Sequence, residues 1–385
     1  MNSPSAICHL PPASRILIRG TNWLGDAAMT IPALLRLREK FPVAHIALLT
    51  PDKLGELWLH HPAVNETISF APGESIFAIG KKLRAGEFDL ALVLPNSPRS
   101  AIETWLAGIP QRIGGARPWR NFFLTNAIAP RSGAVKMRKL TVAEIHRRTG
   151  VAPVSDQIED NLETGRMPVL QTTAHQIHEY LHLSAALGAN PESLPPQLFV
   201  TPDEIESAKK KFGLGKMTRP VFGLNPGAEY GPAKRWSVEK YIAAAKEIQQ
   251  RTNCTWILFS GKSDVAFANQ IESAIHNPQS AIFNLAEKTS LRELMALLKL
   301  CRVLLTNDTG PMHVAAALGT PVVVPFGSTS PELTGPGLPD DTRHRLLKSD
   351  APCSPCFLRE CPIDFRCMNG ISVERVVEAV LQTVR

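Results

Sequence analysis

Two α/β domains, each organised on a parallel sheet, are what this amino-acid sequence predicts. Its 385 residues exceed what a single compact core usually organises. Along both halves, short apolar runs alternate with stretches of helical periodicity, the rhythm of strand, crossover helix and strand. Between the halves lies GANPESLPP, residues 188–196, dense in breakers and suited to an interdomain linker. The domains are therefore expected at 1–188 and 197–371.

The first strand is Arg15-Ile-Leu-Ile-Arg19, ended by Gly20 and followed by a polar turn and a helix-period segment over 27–40. Pro32 falls inside that segment, so regular helix is expected to begin nearer Ile31 or to be kinked in its first turn. Strands follow at 44–49 and 90–94, with helices at 53–59, 76–85 and 99–106. Between 114 and 133 the pattern weakens into a loop-rich basic stretch holding Arg117, Trp119, Arg120 and Arg131. Helical periodicity returns over 139–149 and 174–187. In the second half, strands are expected at 221–224, 255–259, 281–285, 303–306 and 321–326, with helices at 238–250, 265–276 and 312–318. Ser290-Leu-Arg-Glu293 is a capping box that opens another helix, running to about Cys301. Open sheets of this kind bind ligands beyond the carboxyl ends of their strands, which directs attention to the loops found there.

Hydrophobic residues make up 44% of the chain and charged residues 20%, an ordinary globular balance with apolar material for two cores. The net charge of +7 suits solubility, or an anionic partner such as a phosphorylated sugar, a nucleotide or a membrane surface. No Lys/Arg block exceeds three residues and there are only three tyrosines, so a dedicated nucleic-acid binder is disfavoured. Residues 1–14 lack the basic start and apolar middle of a signal peptide and read as a disordered lead-in. The longest apolar stretch, 314–326, is too short for a bilayer, so any membrane contact is expected to be peripheral. Three of the seven cysteines, Cys8, Cys254 and Cys301, are scattered as incidental thiols are, which suits a reducing compartment.

Three loops at expected strand ends hold residue types suited to chemistry. Gly20-Thr-Asn-Trp-Leu-Gly-Asp26 leaves the first strand; its glycines permit close approach of a ligand, and Asp26 stands at a helix start. By spacing alone Asp26 reads first as a helix cap, and the loop lacks the full Gly-x-Gly-x-x-Gly fingerprint. Asn225-Pro-Gly-Ala-Glu-Tyr-Gly-Pro-Ala-Lys-Arg-Trp236 follows the first strand of the second half. There Lys234 as a point charge and Arg235 as a planar fork suit a diphosphate whose charge grows as it departs; a solvated cation pair is the plainer alternative. Most specific is Thr306-Asn-Asp-Thr-Gly-Pro-Met-His313. A strand delivers Asp308, the N–H groups of Thr309 and Gly310 open a helix whose positive end suits phosphate oxygens, and Pro311 removes a donor the helix does not use. Asp308 suits sugar hydroxyls, with His313 one turn along the same face. Ser260-Gly-Lys-Ser-Asp264 either offers Asp264 to a ribose or is an ordinary turn.

Cys353-x2-Cys356-x4-Cys361-x5-Cys367 places four thiols within fifteen residues, a count that satisfies tetrahedral zinc. Its inner spacings are unlike paired Cys-x-x-Cys ribbons, and reduced thiols or one labile disulfide are the alternative.

In Trp23-Leu-Gly-Asp26, Pro226-Gly-Ala-Glu-Tyr-Gly-Pro-Ala-Lys-Arg-Trp236, Asn307-Asp-Thr-Gly-x-Met-His313 and the Cys353 to Cys367 cluster, which together span nearly the whole chain, the sequence resembles the ADP-heptose:lipopolysaccharide heptosyltransferases of glycosyltransferase family 9, the heptosyltransferase II type above all. The resemblance implies a GT-B fold: two Rossmann-like domains with parallel sheets facing across a cleft, acceptor-binding first and donor-binding second, and a last helix over 372–385 crossing back to the first. It implies inverting transfer of heptose from ADP-heptose to the lipid-linked inner core of lipopolysaccharide, by a cytoplasmic enzyme peripheral to the inner membrane, with no required cofactor or catalytic metal. Asp26 is then the general base. Lys234, Asp308, Thr309, Gly310, His313, Gly227 and Asp264 are expected around the donor, and Asn22, Trp23, Arg117 and Arg120 toward the acceptor. Cys353, Cys356, Cys361 and Cys367 are a candidate structural zinc site. The alternatives are transfer to Kdo in the manner of heptosyltransferase I, or a nucleotide-sugar epimerase or hydrolase on the same scaffold.

Overall fold

A computed structural model describes residues 14–151, 174–215, 218–276 and 282–384; the expected lead-in and Cys8 lie outside them. Its contacts divide the chain into two compact units, Met1–Ala134 with Gln176–Val200, and Val135–His175 with Thr201–Arg385.

The first unit is built on β1 (Arg15–Arg19), β2 (His45–Pro51), β3 (Glu66–Phe70), β4 (Leu90–Val93), β5 (Gln111–Gly115) and β6 (Asn126–Ile128), in the order β3-β2-β1-β4-β5-β6. Every pairing is parallel. Around them run α1 (Leu24–Lys40), α2 (Asp52–Gly55), α3 (Ile76–Arg84), α4 (Pro98–Leu106) and, after α5 (Val142–Thr149), α6 (Ile177–Ala185), which packs on α1. Leu17, Leu49 and Ala91 meet Ile79, Leu83 and Phe88 in a dry cluster beneath α3 and the sheet. Each such large apolar side chain contributes about 1.5–3 kcal/mol on burial.

Helix α1 corrects two expectations. It runs unbroken from Leu24 through Pro32, because the buried face from Ala27 to Leu34 outweighs the one hydrogen bond that proline removes. Its N-cap is Trp23, without a side-chain cap bond, so Asp26 lies inside the first turn and is not the cap.

The second unit repeats the pattern. Its strands are β7 (Val221–Asn225), β8 (Thr255–Leu258), β9 (Ile282–Asn284), β10 (Leu304–Thr306), β11 (Val322–Pro325) and β12 (Arg345–Leu347), ordered β12-β11-β10-β7-β8-β9 and again all parallel. Helices α7 (Pro202–Lys211), α8 (Val238–Thr252), α9 (Val265–Ile275), α10 (Leu291–Leu300), α11 (Gly310–Ala317), α12 (Pro331–Thr334), α13 (Arg366–Asn369) and α14 (Val373–Val384) complete it. The Ser290/Glu293 capping box is present, and so are boxes at Thr141/Glu144 and Thr201/Glu204.

In each unit the strand order reverses once, between β1 and β4 and between β7 and β10. At such switch points the flanking connections leave on opposite faces and open a crevice at the carboxyl edge of the sheet.

Two boundaries differ from expectation. Residues 135–151 belong to the second unit: Leu140 and Ile145 pack on Cys353 and Cys356, and the Leu140 N–H donates to the Cys356 carbonyl at 3.0 Å. The last helix, expected to cross back to the first unit, belongs to the second as well. Val376, Val377, Val380 and Leu381 bury the apolar stripe of α14 in the core around Trp236, Tyr241 and Trp256. No described helix is long and apolar enough to cross a membrane.

Candidate functional site

At the switch point of the first unit, β1 ends in a buried charge. Arg19 and Glu103 are almost fully buried, and their pair closes at 2.8 Å, while Arg99 takes the other carboxylate oxygen at 2.9 Å. Arg19 also donates to the Gly20 carbonyl at 2.6 Å and to Asn22 Oδ1 at 2.9 Å. A guanidinium so held spends its remaining donors on the loop after β1 and fixes the path of the chain into α1. Asp26 is half-buried in the first turn of α1, where the helix dipole favours a carboxylate. Buried Tyr180 of α6 is driven well above its ordinary pKa, first by burial and then by the charge of Asp26, which puts the two side chains in one neighbourhood. Trp23 is half-exposed, with Lys53 Nζ 5.0 Å from its ring centroid.

The basic loop after β5 divides its arginines. Arg117 is exposed. Arg120, expected to face an acceptor, is instead fully buried: its guanidinium donates to the Pro95 carbonyl at 2.7 Å, and burial and then the Arg117 charge pull it down to about 10. Its place beneath the loop makes it an anchor.

At the switch point of the second unit, the loops after β7 and β10 meet. Lys234 Nζ lies 2.7 Å from Asp308 Oδ2, and the Thr329 hydroxyl donates to the same oxygen at 2.5 Å. Lys234 also stands 5.0 Å from the centroid of the Tyr230 ring. Asp308 is followed by Thr309, the N-cap of α11, which makes no side-chain cap bond. The first turn of α11 therefore presents its positive end beside the Lys234–Asp308 pair, as an oxyanion requires.

Asn307 ties the two loops together. Its Oδ1 accepts from the Trp236 N–H and the Tyr241 hydroxyl, each at 3.0 Å, while its Nδ2 donates to the Pro226 carbonyl at 2.7 Å and the Gly227 carbonyl at 3.3 Å. Such a fully engaged buried amide holds backbone that would otherwise be free to move.

The cation pair of the sequence splits. Lys234 faces Asp308, whereas Arg235 turns to the buried Asp264 carboxylate at 2.7 Å and stacks 5.2 Å from Phe267. Asp264 also accepts from the Ser263 hydroxyl at 3.0 Å and presses on Gly227, where a Cβ would stand 2.6 Å from Asp264 Oδ2. Gly227 and Asp264 are thus neighbours, bonded into the support of the loop.

His313 is buried on α11. Burial lowers it to about 4 against the opposing charge of Asp308, with His175, Lys234 and His344 adding to the drop. Its imidazole is neutral at pH 7, suited to one hydrogen bond given and one taken.

Cys353, Cys356 and Cys367 are buried, Cys361 is half-buried, and all four are free thiols. Burial, then the neighbouring thiols, push Cys367 up to about 12, and Cys353 upward. Among the described residues no group of three or more His, Cys, Asp or Glu side chains is arranged to hold a metal ion. Cys353 and Cys356 pack with Leu140 and Ile145 beneath α5, and Cys367 joins the core that holds Met368 and Ile371.

Sequence reasoning missed Arg19, Glu103 and the tying role of Asn307. Only a charge closing an otherwise apolar strand, as Arg19 does, hinted at the first.

The profile of glycosyltransferase family 9 (heptosyltransferase) matches residues 162–365. Lipopolysaccharide heptosyltransferase 2 of Escherichia coli K12 is 32% identical over 330 residues, 84% of this chain and 85% of that protein. Lipooligosaccharide heptosyltransferase 2 of Haemophilus ducreyi is 33% identical over 335 residues, 84% of this chain and 86% of that one. The solved ADP-heptose lipopolysaccharide heptosyltransferase II of E. coli aligns with a TM-score of 0.73 at 28% identity, over 96% of this chain and 98% of its own.

Proposed function

Because this chain belongs to glycosyltransferase family 9, the heptosyltransferases, we propose that it moves L-glycero-D-manno-heptose from ADP-heptose to the heptosyl-Kdo-lipid A inner core of lipopolysaccharide, working in the cytoplasm at the inner-membrane surface. The observation that carries the donor assignment is the Lys234–Asp308 pair beside the uncapped first turn of α11.

The chemistry assigns a role to each group. An acceptor hydroxyl oxygen attacks the anomeric carbon from the face opposite the diphosphate, so the configuration inverts as one C–O bond forms and the other breaks. Asp26 takes the hydroxyl proton. Lys234 and the N–H groups of Thr309 and Gly310 meet the charge that gathers on the departing ADP. Asp308 holds heptose hydroxyls, and neutral His313 supplies a hydrogen bond. Asn22, Trp23 and Arg117 contact the acceptor. Charge on the leaving group is met by protein donors, so turnover is expected to survive a chelator.

The test is to incubate the protein with ADP-heptose and, separately, a heptosyl-Kdo acceptor, a Kdo-only acceptor and water. A gain of one heptose on the heptosyl-terminated acceptor, with ADP released only alongside it, is expected. Transfer to the Kdo-only acceptor alone would reassign the acceptor, and ADP release in water alone would make the enzyme a hydrolase.

A further inference from the structure

One feature of the first unit has no part in that chemistry. In the loop between β5 and β6, Trp119 is 90% exposed and Phe122 is 82% exposed. Exposure of this degree is costly for large aromatic side chains unless something covers them.

The exposure is built in. Trp119 holds a left-handed backbone, φ +66°, a conformation that costs about 1 kcal/mol or more for a bulky residue. The base of the loop is clamped by two arginines: Arg120 reaches down to the Pro95 carbonyl at 2.7 Å, and Arg112 Nε donates to the Phe123 carbonyl at 2.8 Å. Phe123 meets Phe122 edge-on at 5.4 Å and Trp105 edge-on at 5.5 Å, which backs the tip with a row of rings. The tip is therefore a stiff wedge.

Its charge is one-sided. Residues 104–130 contain three arginines and no Asp or Glu; Arg112 and Arg120 turn to backbone carbonyls, and Arg117 is exposed. Exposed Arg117 stands two residues from Trp119. Because all strands of the sheet are parallel, the loop leaves the same carboxyl edge as the loop carrying Asp26, with only β4 between β1 and β5.

We propose that the Trp119–Phe122 tip docks the enzyme on an anionic lipid bilayer, its rings entering the interface while Arg117 pairs with a headgroup phosphate. Indole and phenyl rings partition to that depth, and cations beside them add attraction that salt screens. The inference rests on the acceptor being lipid-linked: the tip brings the edge of the sheet that carries Asp26 to the surface where that acceptor resides. A second copy fits less well, because the stretch 104–130 holds cations and no carboxylate to meet them.

The experiment is flotation of the full-length protein with phosphatidylglycerol-containing vesicles and with neutral phosphatidylcholine vesicles. The wild type is expected on the anionic vesicles, with binding that falls as salt rises. The double variant Trp119→Ala/Phe122→Ala should bind them about tenfold less, and Trp119→Phe/Phe122→Trp should restore binding. ADP affinity, which reports folding of the donor unit, and turnover of a deacylated, water-soluble acceptor should both stay unchanged in the double variant, while turnover of vesicle-embedded acceptor drops. Equal flotation of wild type and double variant would overturn the proposal. So would equal binding to neutral vesicles, loss of turnover on the soluble acceptor, or a wild-type dimer that the double variant dissolves. Vesicle binding is read without turnover, so failure of heptose transfer with intact flotation would strike the activity and leave the docking surface standing.

Discussion

Among single residues, charge is informative only when its partner is known. Lys234 and Arg235 are adjacent cations in the sequence, yet one pairs with Asp308 and the other with Asp264. Lys234→Ala is expected to weaken ADP binding and to cut kcat/KM by roughly 10²–10³, because it removes the ammonium and leaves Asp308 buried with an uncompensated charge. Asp26→Asn should behave differently, lowering kcat by about 10²–10⁴ with ADP affinity intact. Calorimetry with ADP beside steady-state kinetics separates the two, and equal loss of ADP affinity in both variants would remove Asp26 from the role of base. The loops that hold Asp26, Lys234 and Asp308 were legible because glycines and polar residues at the ends of apolar strands stand out, while by spacing alone Asp26 reads first as a helix cap. Arg120 was misread because a sequence does not show whether an arginine in a basic loop points outward or beneath it.

At the scale of elements, the loops are held by close contacts that leave no spare volume. Gly227→Ala would drive a methyl into the Asp264 carboxylate and loosen its hold on Arg235. We expect a loss of about 1–3 kcal/mol in denaturant melts and weaker ADP binding. Gly261→Ala is the control, since a Cβ there meets nothing within 4 Å; equal effects of the two would contradict the contact argument. The strands β1, β2, β4, β7, β8, β9, β10 and β11 were readable as apolar runs, the edge strand β9 among them. β3, β5, β6 and β12 were not, because polar residues at exposed and half-buried positions break the apolar run in each. α7 escaped notice although Thr201 and Glu204 spell a capping box, since its surface is mostly charged.

For the molecule as a whole, buried histidines set the acid limit. Burial holds His61 in the first unit, and His313 and His344 in the second, at about 4, below the ordinary 6.5. The unfolded chain then binds more protons than the native one between those values. The stabilisation is complete above about pH 6.5 and is lost as pH falls through 4, at up to about 1.4 kcal/mol per pH unit for each histidine. Guanidinium melts at pH 7 and pH 5 check this, and His344→Gln should flatten the slope by one histidine's share; an unaltered slope would mean His344 does not titrate with folding. The sequence alone determined the two α/β units, the family and the three loops, because periodicity, breakers and motif spacing are local properties of the chain. Only the tertiary structure decided that 135–151 and the last helix belong to the second unit, that Arg19 with Glu103 and Asn307 hold the loops, and that Trp119 and Phe122 project while Arg120 does not. Those outcomes depend on which surfaces find volume and hydrogen-bond partners distant in sequence, and no local pattern encodes that choice.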